Sequence, residues 1–414
     1  MTEQEKFALT EDPVAQQYER WAYPTPCQDL STLSFDSPNV RFQNFRKLSP
    51  LFWPERPYRE DVDILVAGCG TVAAAGYAYL HPKARVVGID ISAASLAHEE
   101  LLKQKHGLER LTLQQCRVED VASLGATFDF ITSHGVLHHL ADPVAGLRAL
   151  GGVLRRDGVI DLMVYAPYGR TGVYMFQELF RLMGLGQTPR DVQTVKDALA
   201  CLGPQHPLRR YLAVALDLNA DEGLVDTFLH ARDRAFSVGQ CLDLVEQAGL
   251  VFQGWQDSGL YHAEGRLSPT SPLWPQFDRL DDRRLWQAIE LYDGTIPGHW
   301  FLACGPDRDP AGYRVQFDDE AFLGYVPVLR ISQSTPADPL RRASATIARP
   351  PFPPLPLDDW QVAVLSRVGG SRPVADCLRA AAGPAGPIDV SRARRLFRLL
   401  WRVGYVMFRI GAVK

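Results

Sequence analysis

The chain lacks any apolar run near the ~18 residues that would suggest a membrane span. Its opening, MTEQEKFALTEDP, is polar and acidic, so no secretory signal is expected. A basic excess is also missing. Forty-four Lys and Arg stand against 48 Asp and Glu, for a formal net charge of −4. Neutralising phosphates needs a clear basic surplus, so neither a nucleic-acid partner nor a membrane is expected. Cysteine patterns of metal sites are absent as well. The seven cysteines run singly from Cys27 to Cys377, with no CxxC and no Cys/His cluster. No metal is expected, and an odd number of dispersed thiols suits a reduced, cytoplasmic protein.

What is present is ordinary for a globular chain: 46% hydrophobic and 22% charged residues. At 414 residues it suits two or three domains. Basic residues gather near the far end, at Arg392, Arg394, Arg395, Arg398, Arg402, Arg409 and Lys414, and read as a solvated helix face.

Pattern divides the chain into segments. Residues 1–60 form an aromatic and proline-rich arm whose prolines 24, 26, 54 and 57 oppose long helices. Residues 61–262 alternate short apolar runs with helical stretches, the signature of an α/β fold with a Rossmann-like parallel sheet. Strands are expected at 63–68, 85–90, 111–116, 128–133, 158–166 and 250–255. Between about 167 and 222 the chain reads as a helical insertion able to cap the sheet. Residues 263–332 read as an additional α+β segment with strands in HWFLACG and VPVLRIS. Residues 333–356 read as a proline-rich linker. Residues 357–414 read as helix, helix, then helix into a short strand, in the order of a C-terminal winged-helix-like module.

The chemistry concentrates in VDILVAGCGTVAAAGY. A buried strand ends at Ala67, and Gly68-Cys69-Gly70 turns into an Ala-rich helix. Glycines allow the tight turn and bring backbone N–H groups close to a ligand. The positive helix end suits a carboxylate or phosphate. Asp90 ends the next strand, at the spacing of about 20 residues that places an acid on ribose hydroxyls. Its competing role is to cap the helix SAASLAHEELLKQ, which Ser92 can also do. A dinucleotide site prefers G-x-G-x-x-G, and the third glycine here would fall at Ala73. An NAD-dependent dehydrogenase is thereby disfavoured.

The pieces AGCGT, VVGIDIS, RVEDV, FDFITSHGVLHHLADP and LRRDGVIDLMVY, in this order, resemble the class I S-adenosylmethionine-dependent methyltransferases. The resemblance implies S-adenosyl-L-methionine as cofactor. Gly68, Cys69 and Gly70 would approach its methionine portion, Asp90 the ribose, and Ile91 one adenine face. Val118 and Glu119 would edge the adenine, and Ser133, His134 and Gly135 would run beneath the methyl group. Three positions depart from the pattern. Val66 stands where many relatives have an acid, Val72 where a third glycine is common, and Arg117 where an Asp often meets the adenine.

A sulfonium is already a strong electrophile, so orientation supplies most of the rate and a base is not obligatory. Candidate acceptor-side residues are His138 or its neighbour His139, Tyr165 and Tyr168 with Arg170 behind them, and Asp226 with His230. If residues 226–231 are helical, Asp226 and His230 share a face at i and i+4, as an acid orienting a base. The competing reading is a surface pair with an N-cap at Ser237. Tyr18, Trp21 and Tyr23 of the arm are placed to close over the cofactor or line the acceptor pocket, or simply to pack. QYERWAYPTP and FLHARDRAFSVGQCLDLVEQAGLVFQGW resemble segments of bacterial protein-lysine and TPR-linked methyltransferases, which implies a protein side chain such as lysine as acceptor. The alternatives are a small-molecule N-, O- or C-methyltransferase and a non-catalytic S-adenosylmethionine-binding module. The tail resembles winged-helix-like tails beside peptide-modifying proteins, or serves to form a homodimer.

Overall fold

The structure is a computed structural model, and it describes residues 11–33, 45–268, 270–330, 346–347, 349, 352, 354–382 and 388–410. It divides into two compact units. The first comprises residues 1–33, 60–252 and 294–306, and the second residues 34–59, 253–293 and 307–414.

The first unit is built on a seven-stranded sheet, whose strand Val251–Trp255 runs on past residue 252. Its strands are β1 (Asp63–Ala67), β2 (Arg85–Asp90), β3 (Leu111–Gln115), β4 (Phe128–His134), β5 (Leu154–Tyr165), β6 (Val251–Trp255) and β7 (Gly298–Cys304). They lie in the order β3-β2-β1-β4-β5-β7-β6. β1 pairs in parallel with β2 and β4, β2 with β3, and β4 with β5. β5 pairs with β7 in the antiparallel sense. Strand order reverses between β1 and β4, and the carboxyl ends of strands at such a switch point form a crevice for ligands. Ile64, Leu65, Val86, Ile89, Phe130, Ile131, Val159 and Ile160 are wholly enclosed. Their near-continuous apolar runs are what a parallel strand covered on both faces requires.

The sheet differs from expectation at one strand. The sequence pattern places HWFLACG in the segment beyond the core, yet β7 lies against β5, with Ile160 opposite Ala303 and Tyr165 opposite Gly298. The core therefore recruits a strand from beyond residue 262.

Helices α1 (Pro13–Arg20), α2 (Ala73–Leu80), α3 (Ala93–His106) and α4 (Pro143–Gly152) precede the insertion. The insertion holds α5 (Thr171–Leu182), α6 (Pro189–Ala200), the short α7 (Leu208–Leu212) and α8 (Asp221–Phe228), and α9 (Val238–Gln247) follows. Thr188 and Asp191 start α6 with a reciprocal capping box, as Ser237 and Gln240 start α9. Val173, Phe176 and Phe180 of α5 pack with Val192, Val195, Leu208, Val225 and Phe228 in a core of the insertion's own. Each such side chain contributes about 1.5–3 kcal/mol by leaving water.

The second unit has its own core, in which Phe317, Phe322 and Tyr325 join Leu365, Cys377, Leu396, Phe397, Leu400 and Phe408. The helices Asp359–Leu365, Val374–Ala382 and Val390–Arg402 follow the expected order, and the strand Val406–Arg409 closes it. That strand pairs antiparallel with Val326–Leu329, which precedes the linker. A winged-helix module is not shown by this arrangement, because the partner strand comes from upstream and not from a hairpin after the third helix. Much of the expected linker, 333–356, lies outside the described residues. Of it, Thr346–Ile347 pairs with Leu355–Pro356. Arg349 makes two bonds to Asp257, at 2.9 and 2.7 Å, and a third to the Val403 carbonyl. Among the described residues no helix is long and apolar enough to cross a membrane.

Candidate active site

The glycine turn leaves β1 with Gly68 at φ 77° and Gly70 at φ 56°, a region that costs other residues steric strain. A methyl group on Gly70 would lie 2.8 Å from the Tyr23 carbonyl oxygen, so glycine is needed for closeness as well as for conformation. The N–H groups of Gly68 and Cys69 both donate to the Ile89 carbonyl, at 2.8 and 3.0 Å, which locks the turn onto β2. Val72, in place of a third glycine, sits at φ −150°, on the negative side that does not call for glycine.

Asp90 is nearly buried at the end of β2. Its Oδ2 accepts from the Gly70 N–H at 2.8 Å and its Oδ1 from the Ser92 N–H at 2.9 Å. Burial pushes its carboxyl up from the ordinary range, while the N–H groups of Ser92, Gly70 and Ile91 oppose that shift. The capping alternative is settled by Ser92, whose Oγ accepts from Ser95 N–H at the head of α3. Asp90 is thus oriented at the crevice without serving as that cap. Each carboxylate oxygen has a further lone pair to accept from a ribose hydroxyl. The residues present therefore fit S-adenosylmethionine.

The helix end behind the turn differs from expectation. The N–H groups of Ala74 and Ala75 in α2 donate to Glu99 of α3, at 2.9 and 2.7 Å. They are not available to a cofactor carboxylate. The other expected cofactor residues lie along the same strand ends. Ile91 is half-buried and its carbonyl accepts from Gln115 Nε2 at 2.9 Å. Val118 is buried at the start of a 3₁₀ turn after β3. Glu119 lies 3.5 Å from Arg117, so the arginine in the usual acid position is matched by an acid two residues on. Ser133 is buried, His134 Nε2 is 3.2 Å from the enclosed Asp161 of β5, and Gly135 turns at φ 74°.

The acceptor-side candidates come together. His138 and His139 follow β4 in a 3₁₀ turn, and the His138 ring lies 4.0 Å from that of Tyr165. His139 stacks on His230 with ring centres 3.7 Å apart. Tyr165 OH donates to Asp226 Oδ2 at 3.4 Å. The expected helical pairing of Asp226 with His230 does not form, because α8 ends at Phe228 and His230 lies beyond its cap. The two meet through the arm: Tyr18 OH donates to Asp226 Oδ1 at 2.8 Å and lies 3.2 Å from His230 Nε2. Tyr23 OH donates to Asp217 at 2.8 Å, and Trp21 Nε1 to the Gln187 carbonyl at 3.2 Å. The arm also grips the glycine turn and the end of β2, where Thr71 Oγ1 donates to the Pro24 carbonyl and Ser92 Oγ to the Tyr18 carbonyl.

Hydrogen bonds assign the imidazoles. His139 Nδ1 faces the Arg232 carbonyl at 2.8 Å and must donate, leaving an Nε2 lone pair. His230 Nδ1 accepts from the Arg232 N–H at 2.9 Å, so its Nε2 carries the proton toward Tyr18. His138 Nδ1 faces the Tyr165 N–H at 3.4 Å, and its buried Nε2 has no partner. Burial, reinforced by His139, holds His138 well below the usual histidine range, and His230 is depressed by the same causes. Burial raises Asp226 and lifts Tyr18 and Tyr165 well above their usual values. Arg170, wholly buried, stacks on Tyr165 with its guanidinium carbon 3.6 Å from the ring centre, and donates to Tyr211 OH at 2.6 Å. It lies 3.7 Å from Asp233. The sequence marks His139 only as the neighbour of His138, Tyr18 only as one aromatic of the QYERWAYPTP arm, and Arg170 only as the residue behind Tyr165 and Tyr168; the contacts that join them come from distant segments.

Residues 65–161 match the family model described as methyltransferase domain. This region is a methyltransferase domain, and the unit containing it has the class I S-adenosylmethionine-dependent methyltransferase fold. Among individual proteins, an uncharacterized protein of Synechococcus sp. is 33% identical over 272 residues, covering 64% of each chain. The tRNA 5-carboxymethoxyuridine methyltransferase of Escherichia coli K12 is 29% identical over 130 residues, 31% of this chain and 48% of that one. The chain thus spans 64% and 48% of the lengths of these curated relatives. Among solved structures, PKMT2 from Rickettsia typhi is similar with a TM-score of 0.62 at 16% identity, covering 93% of this chain and 76% of that one. The same protein in complex with AdoHcy gives a TM-score of 0.60.

Proposed function

We propose that the protein is an S-adenosylmethionine-dependent methyltransferase acting on an amine, presented by a protein side chain such as lysine. The observation that carries this reading is Asp226. It is wholly buried and receives the hydroxyls of Tyr18 and Tyr165, and a ring nitrogen of His139 lies within 4.8 Å of its carboxylate. A buried carboxylate with aromatic neighbours favours an ammonium group arriving from water. The amine must then lose its proton before it can attack. His139 Nε2 is the available acceptor by its tautomer, and Asp226 stabilises the imidazolium that results. The bound cofactor supplies the electrophilic methyl group. Tyr18 and Tyr165 orient Asp226, and His230 supports Tyr18.

A polypeptide acceptor is supported by the surface of the insertion. Pro167, Tyr168, Tyr174, Met175, Leu179 and Leu182 line an open apolar groove of about 700 Å³. Tyr168, Met175 and Leu182 are 40, 48 and 78% exposed. Apolar surface of this kind suits a partner chain more than a free metabolite. The net charge of −4 weighs against nucleic acid. Methyl-labelled cofactor incubated with fractionated lysate tests the reading. Label in acid-stable methyl-lysine of macromolecules supports it. Label confined to small molecules overturns the acceptor and favours a small-molecule methyltransferase. Cofactor binding without any transfer would favour a non-catalytic binding module.

A further inference from the structure

The arm makes two sets of bonds, to different parts of the first unit. Its backbone carbonyls go to the glycine turn, the end of β2 and α3. Pro24 accepts from Thr71 Oγ1 at 2.7 Å, Tyr18 from Ser92 Oγ at 3.2 Å, and Cys27 from His98 Nε2 at 2.6 Å. The Glu19 carboxylate accepts from the N–H groups of Ala93 and Ala94 at the head of α3. Thr71 and Ser92 are wholly buried, and the Tyr23 carbonyl oxygen stands against Gly70. The hydroxyls and the indole of the arm go to the insertion. Tyr18 OH donates to Asp226 and Tyr23 OH to Asp217, both at 2.8 Å. Thr25 Oγ1 donates to Glu222 at 2.5 Å, and Trp21 Nε1 to the Gln187 carbonyl at 3.2 Å. The short stretch from Tyr18 to Thr25 is therefore bonded to both the turn and the insertion.

We propose that the stretch from Tyr18 to Thr25 is a strap over the cofactor turn, which lifts for each exchange of product for fresh cofactor and takes the Asp226 cluster apart as it does so. The proposal rests on the reading of this turn as the cofactor site. A ligand held by Gly70 and Asp90 sits at the ends of β1 and β2, where the strap is bonded to Thr71 and to Ser92. Passage of the ligand breaks those bonds. Tyr18 holds Ser92 through its carbonyl and Asp226 through its hydroxyl, so one tie does not open without disturbing the other. Cofactor exchange and assembly of the Asp226 cluster are then one motion. An acceptor seated on the assembled cluster favours the lowered strap and slows the departure of cofactor. The strap's bonds run to protein and not to ligand. Weakening them speeds entry and exit alike and leaves the equilibrium affinity in place.

Stopped-flow binding of the demethylated cofactor to the full chain, followed by tryptophan fluorescence, tests this. Tyr23→Phe and Thr25→Ala each remove one bond between strap and insertion and no group assigned to the ligand. Each raises the association and dissociation rate constants together, about three- to tenfold, with their ratio unchanged. Tyr18→Phe does the same, although its lost bond is to Asp226. Rate constants equal to wild type in all three variants overturn the proposal. So does a rise in the dissociation rate alone, which marks a direct ligand contact. Should the variants fail to fold, the wild-type complex decides. Its strap amides open to hydrogen exchange at least as fast as the ligand leaves, and a ligand that leaves faster than the strap opens overturns the proposal. If binding is absent, or survives Asp90→Ala undiminished, the assignment of the turn to the cofactor has failed first and the proposal falls with it. Binding that needs Asp90, with rate constants indifferent to the strap variants, sinks the strap alone.

Discussion

The two sides of the crevice are built from different materials. The cofactor side is mostly backbone: glycines at positive φ, N–H groups aimed at Asp90, and strand ends in fixed register. The proposed acceptor side is mostly side chain: three imidazoles, Asp226, and tyrosines from β5 and the arm. Backbone geometry is set by short-range sequence and tolerates change in the side chains around it. A side-chain cluster depends on every member. Loss of one member leaves a buried polar partner exposed to the full cost of desolvation. The contrast predicts that substitutions on one side alter cofactor affinity, and on the other side turnover.

The sharpest test is His139→Gln. Loss of a general base lowers the rate of label transfer by about 10²–10⁴-fold. Calorimetric affinity for the demethylated cofactor should stay near the wild-type value. Weakened binding in this variant would break the separation. Asp90→Ala is the converse. Removing a buried, charge-assisted acceptor weakens cofactor binding by about 10- to 100-fold, and transfer recovers at saturating cofactor. An unchanged affinity would remove Asp90 from the site. Tyr18→Phe deletes the bridge between Asp226 and His230 and lowers transfer about tenfold, with no loss of cofactor affinity measured by the same titration.

The smallest effect is one of stability. His138 and His230 have folded-state values well below 6.5, while the unfolded chain titrates near 6.5. Below that pH the unfolded state binds more protons, so stability present above 6.5 is lost as pH falls. The urea midpoint should drop on acidification, and more shallowly in His138→Gln. An identical slope in the variant would show that the buried imidazole contributes nothing to the acid sensitivity.

Most of the sheet and the glycine turn with Asp90 beside it was legible in the sequence, because short apolar runs, glycine turns and the Asp90 spacing are local signals. The acceptor side was legible only as an inventory. Asp226, His230, His138 and Tyr165 do gather, but the Asp226–His230 link was read from a helix that ends before His230. Its mediator, Tyr18, lies 208 positions from Asp226. The choice of His139 as base turns on the Arg232 carbonyl, a contact across 93 positions. β7 escaped the core because an antiparallel partner arriving after residue 293 leaves no period to follow. The Glu99 cap escaped for the same reason, since a helix cap is ordinarily sought within a residue or two of the helix it closes.

The Tyr18–Asp226 bond has a consequence for the order in which the molecule is made. Synthesis runs from the amino end, so Tyr18 emerges early and waits for its partner. The strands β1 to β4 and the Gly70–Asp90 contact are complete in sequence by His134, long before Asp226 exists. A nascent chain can thus acquire its cofactor edge first. The cluster around Asp226 cannot close until the ribosome has passed residue 230, which keeps the proposed acceptor side unassembled on truncated products.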